Sequence, residues 1–397
     1  MYGLPETVEF CKSCVISNQR PNSITEYDHT KDSKKPTIHF TEGICDACRA
    51  AEAKGKTNWK ERERELQDLC TRFRSTSGAY DCIVPGSGGK DSFFAGHTLR
   101  EKYGMHPLFV TWAPHIETPW GARNLARWQA IANSILYTPS RKTHRLLTRL
   151  AVENLFHPFQ PFIIGQKSLA PKLAILHNIP LVFYGENEAE YGNPIAENGS
   201  AKRSKQYFTS HRINLSGVSS DELRHNYKLN DCDLDPYLPA DPAQLDQKKV
   251  EVHYLGYYLR WRPQECYYYA VEHGGFEAAP ERTPGTWSKY SSIDDKADDF
   301  HYWTTFQKFG IGRATYDAAQ EIRSSEITRE EGVSLVKRYD GEWPARFSEE
   351  INSYLSVPGF EPMSDARWHE LAERFRPGHL WDNGKLRHTV WSGSGEK

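Results

Sequence analysis

From residue 59 onward, short apolar runs alternate with longer amphipathic stretches. A short apolar run bounded by turn residues is typical of a buried strand, whereas apolar residues at helical spacing over several turns are typical of a helix. The predicted strands are 83–84, 107–111, 134–137 and 180–184, and the predicted helices lie near 59–74, 93–103, 121–132, 142–155 and 167–177. This alternation predicts an α/β fold, in which a parallel sheet carries helices on both faces.

The pattern divides the chain into three parts. Residues 1–58 combine polar loops with a strand candidate at 37–40, which predicts a small ribbon-like module. Residues 59–245 form the predicted sheet domain, with a long irregular excursion at 193–245 that is rich in Pro, Asn, Ser and Asp. Residues 246–397 predict a mostly helical region with many aromatic residues.

Composition and charge narrow the class of protein. In a chain of 397 residues, 38% hydrophobic and 26% charged residues are typical of a globular protein. A formal net charge of -2 removes the electrostatic drive for binding nucleic acid, because that affinity comes from lysine and arginine displacing counterions. No apolar run is long enough to cross a membrane and the N-terminus has no signal-peptide pattern. We therefore expect a cytoplasmic protein with neither a membrane nor a nucleic acid as partner.

A glycine-rich turn stands between the first predicted sheet strand and the helix after it. Its residues are Gly86, Ser87, Gly88, Gly89, Lys90, Asp91 and Ser92. Adjacent glycines let the backbone approach a polyanion, and the following helix offers unpaired N–H groups at the positive end of its dipole. Lys90 adds a point charge. We predict a phosphate site here, but not a Walker A loop, because Asp91 follows the lysine where that motif has Ser or Thr.

The loops after the other strands are also candidates, because ligands of a parallel sheet lie beyond the carboxyl ends of its strands. The candidate nucleotide-binding residues in these loops are Thr111, Trp112, Gly185, Glu186 and Asn187. The carboxylates of Glu186, Glu188 and Glu190 are candidate Mg²⁺ ligands, since magnesium is often held by carboxylates together with substrate phosphates. An acidic helix start, which the helix dipole favours, is the alternative.

Four of the cysteines form two Cys-x-x-Cys pairs. Cys11 and Cys14 make the first pair, and Cys45 and Cys48 make the second. Two such pairs fit a closed tetrahedral zinc site, because each pair presents two thiolates on one side of a tight turn. An iron–sulfur cluster and a redox pair are the alternatives. We expect structural zinc, which makes residues 1–58 a zinc-ribbon module.

Lys90 and Asp91 of the glycine-rich turn are candidate catalytic residues. The C-terminal region contributes two more candidates, both of which are cationic. Arg313 stands between a glycine-bearing turn and a helix, where a guanidinium can hold a pyrophosphate or a substrate carboxylate through two hydrogen bonds. Lys308 lies just before the same turn. A surface salt bridge is the alternative role for Arg313.

The other cysteines offer no nucleophile for releasing ammonia from glutamine. None stands in the Gly-x-Cys-x-Gly turn of triad glutaminases, and residue 2 is Tyr, so an N-terminal cysteine nucleophile is missing as well. If the chain consumes ammonia, we expect another protein to supply it.

Taken together, the two cysteine pairs and the segments 87–92, 110–115, 184–187 and 308–313 resemble the N-acetyl sugar amidotransferase family. This family serves bacterial lipopolysaccharide O-antigen and surface-polysaccharide biosynthesis, and it belongs to the PP-loop ATP pyrophosphatases. Pro85, immediately before the loop, departs from the family pattern but leaves the phosphate-facing residues in place.

The resemblance implies a PP-loop, Rossmann-like fold and an AMP-forming enzyme that uses ATP, Mg²⁺ and structural Zn²⁺. Its substrate would be a nucleotide-activated N-acetyl sugar, often a sugar acid, whose acetamido group becomes an acetamidino group. A separate class I glutaminase subunit would supply the ammonia. A PP-loop tRNA-modifying enzyme of the thiolation type and a non-catalytic nucleotide-binding scaffold remain as alternatives. The absence of net basic charge argues against the first, and the intact Lys90–Asp91 pair argues against the second.

Overall fold

The computed structural model describes residues 4–21, 38–185, 200–204 and 214–392. In chain order the strands of these residues are β1 (Phe40–Thr41), β2 (Ile44–Cys45), β3 (Cys82–Pro85), β4 (Pro107–Trp112), β5 (Ser134–Tyr137), β6 (Leu181–Tyr184), β7 (Glu251–Tyr254), β8 (Trp381–Asp382) and β9 (Lys385–Leu386). Five of them form a parallel sheet in the order β5-β4-β3-β6-β7. The predicted α/β fold with a parallel sheet is confirmed. Because β3 lies at the centre with β4 on one side and β6 on the other, the loop after β3 stands where such sheets bind ligands.

Helices cover both faces of the sheet and make up most of the C-terminal region, as predicted. In chain order they are α1 (Asp46–Gly55), α2 (Trp59–Phe73), α3 (Lys90–Glu101), α4 (Pro119–Gln129), α5 (Arg141–Leu155), α6 (Gln160–His177), α7 (Ser220–Tyr227), α8 (Asp231–Leu234), α9 (Pro242–Gln247), α10 (Leu255–Tyr258), α11 (Pro263–Gly274), α12 (Asp298–Phe309), α13 (Arg313–Arg323), α14 (Arg329–Tyr339), α15 (Ser348–Leu355) and α16 (Asp365–Phe375). Helix α3 begins at Lys90 rather than near residue 93, so the lysine of the loop belongs to its first turn. Helix α6 begins well before residue 167 because a proline is tolerated in the first helical turn.

The strands are apolar on both sides because both faces of the sheet are buried. Ile83 and Leu108 pack with α5 and α6 on one face. Val84 and Phe109 point to the opposite face, where they pack with α2, α3, α4 and α11. Neighbouring residues of a strand thus contribute to two different cores, as the two-residue period of a strand requires.

Strand β7 was not predicted from the sequence. Its residues Glu251 and His253 interrupt the apolar run, so the periodicity did not indicate a strand. In the structure, β7 pairs with β6 at the edge of the sheet, and His253 Nε2 lies 2.9 Å from Glu251 Oε2. The two polar side chains therefore satisfy each other's hydrogen-bonding groups. The central sheet thus includes a strand that follows residue 245.

The cysteine module packs against the C-terminal helices. A third core joins Cys11, Val15 and Ile16 to Phe309 and to the alanines of α13. Within the described residues, no helix combines the length and the apolar character that a membrane crossing requires.

Candidate active site

The glycine loop connects β3 directly to α3. The Gly86 N–H donates to the Val110 carbonyl of β4 at 2.9 Å, which ties the base of the loop to the neighbouring strand. Gly89 is the N-cap of α3 and makes no side-chain capping bond, and Ser92 Oγ donates back to the Gly89 carbonyl at 2.9 Å. The first turn of α3 therefore begins directly at the open glycine loop. A glycine loop at the N-terminus of a helix is a geometry that can bind phosphate.

Gly88 is the residue on which the shape of this loop depends. Its φ is +81°, and a Cβ built on it would lie 2.6 Å from Leu125 Cα and 2.8 Å from Leu125 N in α4. A side chain would therefore meet backbone atoms that cannot rotate away. Gly89 differs, since its φ is -65° and the nearest atom to a Cβ there is Ser87 Oγ at 3.6 Å.

Replacing Gly88 with Ala should lower the free energy of unfolding by about 2 kcal/mol or more. A left-handed backbone costs an alanine about 1–2 kcal/mol, and the clash with α4 adds to it. The matched control is Gly89→Ala, which keeps an ordinary backbone conformation and should cost only about 1 kcal/mol or less, the difference expected between glycine and alanine at an N-cap. Urea unfolding measures both variants, and equal stability would contradict the close approach of the loop to α4.

Two cavities meet at the loop. The first, which we call the loop cavity, has a volume of about 550 Å³ and is lined by residues 85–92 together with residues of α4, α6 and β6. The second, which we call the arginine cavity, has a volume of about 370 Å³ and lies between the cysteine module, α12 and α13. Its described charged residues are Arg20, Lys90, Asp91, Arg313, Asp317 and Arg323.

Lys90, Asp91 and Ser292 line both cavities. Lys90 is 6% exposed, and its Nζ pairs with Asp91 Oδ2. The other carboxylate oxygen, Asp91 Oδ1, is buried and has no hydrogen-bond partner among the described residues. A cation and an unsatisfied carboxylate oxygen thus stand side by side where the two cavities join. The glycine loop suits a nucleotide phosphate, and Asp91 Oδ1 suits a magnesium ion.

The segment 291–295 closes the loop cavity from the C-terminal region. Thr118 Oγ1 and Trp120 Nε1 each donate to the Ile293 carbonyl at 2.6 Å, which fastens the segment to the start of α4. Asp294 lines the loop cavity beside Ser87. Burial raises the pKa of the Asp294 carboxyl, and the hydrogen bond with Ser87 opposes the shift.

His115, in the loop after β4, anchors the same segment. Its imidazole Nδ1 lies 2.7 Å from Asp295 Oδ2, and its backbone N–H donates to the same oxygen at 2.6 Å. Lys296 N–H donates to the Ile116 carbonyl at 2.9 Å. These contacts place Ser292 and Asp294, distant in sequence, beside the glycine loop.

Arg313 lies in the arginine cavity at the first residue of α13. Its Nε is 3.1 Å from Asp317 Oδ1, its Nη1 donates to Ser292 Oγ at 2.7 Å, and its guanidinium stacks 4.3 Å from the centre of the Tyr302 ring. Burial opposes the charge, but the nearby Asp317 outweighs it and raises the pKa of Arg313. The guanidinium is therefore held, charged, against a cavity wall rather than on the surface.

Lys308 has a different position. It is buried near the end of α12, and its Nζ donates to the Leu155 carbonyl at 3.3 Å. Lys308 is not among the described residues that line either cavity. Its proposed catalytic role stays a prediction without support from the cavity geometry.

The other candidate nucleotide residues divide into three groups. Thr111 and Trp112 are buried within β4, and the Trp112 ring fills the space where a Cβ on Gly165 would lie, at 2.2 Å. Gly185 lines the loop cavity, and its carbonyl accepts from the Gly256 N–H at 2.8 Å. Glu186 and Asn187 lie outside the described residues, and so do Glu188 and Glu190, the other candidate Mg²⁺ ligands.

The four cysteines of the N-terminal module form one cluster. Their Sγ atoms all lie within 4.8 Å of one another, with Cys11 to Cys48 at 3.9 Å and Cys14 to Cys45 at 3.8 Å. A tetrahedral zinc ion with Zn–S bonds of about 2.3 Å places its sulfurs about 3.8 Å apart. The cluster is suited to bind a metal. Its spacing favours a single ion over an iron–sulfur cluster, because the four thiolates of such a cluster are spread over two or four irons.

Helix α14 holds this cluster against the rest of the protein. Arg329 Nε donates to the Cys14 carbonyl at 3.1 Å, and Arg329 Nη2 donates to the Cys11 carbonyl at 3.3 Å. The module that carries the cysteines also supplies residues to the arginine cavity, namely Ile16, Arg20, Pro21, Ile38 and Ala47. The predicted metal site is therefore next to the candidate active site.

Several residues of the cavities were missed by the sequence analysis. They are Arg20, Arg203, Tyr290, Ser292, Asp294, His301 and Tyr302. None belongs to a short motif with a recognisable spacing, and they come from four separate stretches of the chain. Burial lowers the pKa of His301 to about 3, so this imidazole is neutral in the arginine cavity.

Residues 284–392 match the family model described as the C-terminal domain of lipopolysaccharide biosynthesis proteins that are WbpG-like. The match covers helices α12 to α16 and therefore Arg313 and the wall of the arginine cavity. It supports the expected family, that of lipopolysaccharide sugar biosynthesis.

Two other proteins show more limited similarity. An uncharacterised protein of Methanocaldococcus jannaschii is 33% identical over 82 residues, which is 21% of this chain and 29% of that relative. The U34-tRNA thiolase NcsA from Methanococcus maripaludis, solved with its [4Fe-4S] cluster, aligns with 13% identity and a TM-score of 0.24. That alignment covers 55% of this chain and 79% of the thiolase.

Proposed function

Starting from a C-terminal region that is WbpG-like, we propose that this chain is an ATP-dependent amidotransferase of lipopolysaccharide sugar biosynthesis. It would convert the N-acetyl group of a nucleotide-activated sugar into an acetamidino group. The observation that carries the proposal is the position of Lys90 and Asp91, which line both a glycine-loop cavity and a cavity with three arginines. Such a junction is where a nucleotide phosphate and an anionic acceptor can react.

The loop cavity is the proposed ATP site. The backbone of residues 86–89 and the first turn of α3 would cradle the β- and γ-phosphates, with Lys90 beside them. Asp91 and Asp294 are the described carboxylates in its lining, and Asp91 Oδ1 is suited to hold Mg²⁺. Mg²⁺, when bound, neutralises phosphate charge and helps pyrophosphate to leave.

The proposed chemistry begins at the acetamide oxygen, because an amide carbonyl is too poor an electrophile for direct attack by ammonia. The oxygen attacks the α-phosphorus of ATP, the bond to the bridging oxygen breaks, and pyrophosphate leaves. Ammonia then adds to the activated carbon, one N–H proton is lost, and AMP departs with the former amide oxygen. The product is the acetamidino group.

The residues of the chain would act mainly by position and charge. Lys90 and the loop N–H groups would stabilise the charge that grows on the departing pyrophosphate. Arg313, fixed by Asp317 and Ser292, would orient an anionic part of the acceptor in the arginine cavity. In this arrangement the loop cavity would bind ATP, and the arginine cavity would bind the acceptor sugar.

Ammonia would come from a separate glutaminase subunit. Outside the cluster of four cysteines, Cys70, Cys82 and Cys266 are buried. Burial raises the pKa of Cys70 to about 12 and also raises that of Cys82, so neither is a ready thiolate at neutral pH. Cys232 is exposed on the short helix α8. The described cysteines thus give no support to a glutaminase site within this chain.

With ATP, Mg²⁺, an N-acetylated nucleotide sugar and an ammonium salt at raised pH, the purified chain should release AMP and pyrophosphate. Glutamine should not replace ammonium, because the chain has no recognisable glutaminase nucleophile. A sugar labelled with heavy oxygen in its acetamide carbonyl should transfer that label to AMP, which mass spectrometry detects. The sugar should carry the mass change expected when oxygen is replaced by NH.

Release of ADP and phosphate would contradict adenylation, and so would AMP that lacks the label. AMP formation that required tRNA and a sulfur donor would instead support the thiolation alternative. Glutamine-dependent turnover by the chain alone would contradict the two-protein scheme while leaving the adenylation step intact.

A further inference from the structure

The arginine cavity contains a buried cation whose role the proposed reaction does not explain. Arg20, from the cysteine module, is 6% exposed and lines this cavity. Its Nη1 is buried and has no hydrogen-bond partner among the residues that the structure describes. A guanidinium nitrogen removed from water without an acceptor is costly, so a ligand that supplies an acceptor would bind there favourably.

Two of the other cations that line this cavity, one at the glycine loop and one at the start of α13, already have acidic partners. Lys90 pairs with Asp91, and Arg313 pairs with Asp317. Neutral His301 adds no charge of its own, since burial holds its pKa well below neutrality. Arg323, at the end of α13, also lines the cavity but is only partly buried. Arg20 is therefore the buried guanidinium of the described lining that is best placed to meet an incoming anion.

Arg20 is also held firmly in place. Its guanidinium lies 5.2 Å from the centre of the Tyr316 ring, and Tyr316 packs edge to face with Tyr302. The Tyr302 ring in turn contacts the Arg313 guanidinium. The Arg20 carbonyl accepts from the Ile38 N–H at 3.0 Å, and the Arg20 N–H donates to the Ser17 carbonyl at 3.3 Å. A pair of tyrosine rings thus connects the two guanidinium groups.

The residue before Arg20 joins the module to the C-terminal region. Gln19 is fully buried, its Nε2 donates to the Pro5 carbonyl at 3.0 Å, and its Oε1 lies 3.0 Å from His379 Nε2. A side chain supported in this way loses little conformational freedom when it binds a ligand.

We propose that Arg20 binds an anionic group of the acceptor sugar nucleotide, so that the cysteine module is part of the acceptor site. This inference rests on the proposed function. The anionic group is a carboxylate on the sugar or the diphosphate that carries it, and either can accept two hydrogen bonds from one guanidinium. The cavity extends from Arg20 to Lys90 and Asp91, so a ligand held at Arg20 can direct its other end towards the glycine loop.

Calorimetric titration of the metal-loaded protein with two probes tests this assignment. The probes are UDP-N-acetylglucosamine and the corresponding uronic acid, which differ by one carboxylate. Arg20→Gln should weaken binding of the uronic acid about tenfold to a hundredfold, as expected for loss of a buried charge-assisted bond. The matched control is Arg49→Gln, which removes the same charge from an exposed side chain of the same module and should change affinity less than about twofold.

The two probes distinguish the two anionic groups. Weaker binding of the uronic acid alone would assign Arg20 to the sugar carboxylate, and equal weakening of both probes would assign it to the diphosphate. Unchanged affinity of Arg20→Gln for both probes would overturn the inference, as would failure of the parent protein to bind either probe. Unchanged metal content and melting temperature show that the variant is folded. If Arg20→Gln does not fold, Arg20→Lys is compared, which keeps the charge without the planar fork and should weaken binding about fivefold or more.

Titration with a non-hydrolysable ATP analogue separates this inference from the proposed function. Both arginine variants should bind the analogue like the parent protein, because the described lining of the loop cavity contains neither residue. If the parent forms AMP from ATP while Arg20→Gln binds and turns over normally, the inference fails and the function stands. If the parent binds no ATP analogue, the proposed function itself fails.

Discussion

Replacing Lys90 with Ala should lower kcat about a hundredfold or more while weakening the binding of ATP less than about tenfold. The Lys90 ammonium lies at the start of α3 and lines both cavities, where it would meet charge that grows on the departing pyrophosphate. An interaction that strengthens in the transition state appears in kcat, and one such donor is typically worth about 3 kcal/mol. Steady-state rates of AMP release, together with titration of an ATP analogue, measure the two effects separately.

The control for this variant is on the same helix. Lys102 is the C-cap of α3, and its exposed ammonium pairs with Glu63 at 2.6 Å. Lys102→Ala should keep turnover within about twofold, because an exposed ion pair contributes little. The melting temperature of Lys90→Ala must be checked as well, since the variant leaves the Asp91 carboxylate without its described partner. Near-normal turnover in a folded Lys90→Ala protein would contradict the assignment of the glycine loop.

Replacing Cys11 with Ser should abolish most of the metal content and destabilise the N-terminal module. The parent protein, purified without added metal, should contain one zinc ion per chain by elemental analysis. Metal binding to small modules of this kind has an apparent free energy of about 10–16 kcal/mol, so loss of one ligand should remove a large part of the folding energy of the module. The neighbouring Phe309 and Ile311 would then lose their cover, and solubility should fall.

Cys11→Ser should also affect ligand binding differently in the two cavities. Binding of the nucleotide sugar should be lost, because Ile16, Arg20 and Ala47 line the arginine cavity. Binding of an ATP analogue should persist, since the described lining of the loop cavity contains no residue of the module. Cys232→Ser is the control, because Cys232 is exposed and apart from the cluster, and it should behave like the parent. A metal-free parent with normal stability would remove the metal hypothesis, and a parent that contains iron and sulfide would favour the cluster alternative.

Local pattern was sufficient for most of the sheet domain. Buried parallel strands are nearly continuous apolar runs, so 107–111, 134–137 and 180–184 could be located from composition and spacing. Strand β7 was missed because Glu251 and His253 look exposed in a linear pattern, whereas pairing between their side chains makes an edge position acceptable. The start of α3 was placed too late because glycine and lysine at a loop give no periodic signal.

The sequence alone indicated the candidate chemistry-bearing motifs of this protein. The glycine loop and the four cysteines are recognisable because a tight phosphate turn and a tetrahedral metal each require particular residue types at fixed short spacing. The same reasoning indicated the parallel sheet and the helical C-terminal region. What only the tertiary structure decided is how distant segments meet: Ser292 and Asp294 beside the glycine loop, Arg313 inside a cavity, Lys308 outside the described lining of both cavities, and Arg20 next to the candidate active site. These contacts depend on the packing of helices and loops far apart in the chain, and such packing is set by shape and burial, which leave no short-range signature in a single sequence.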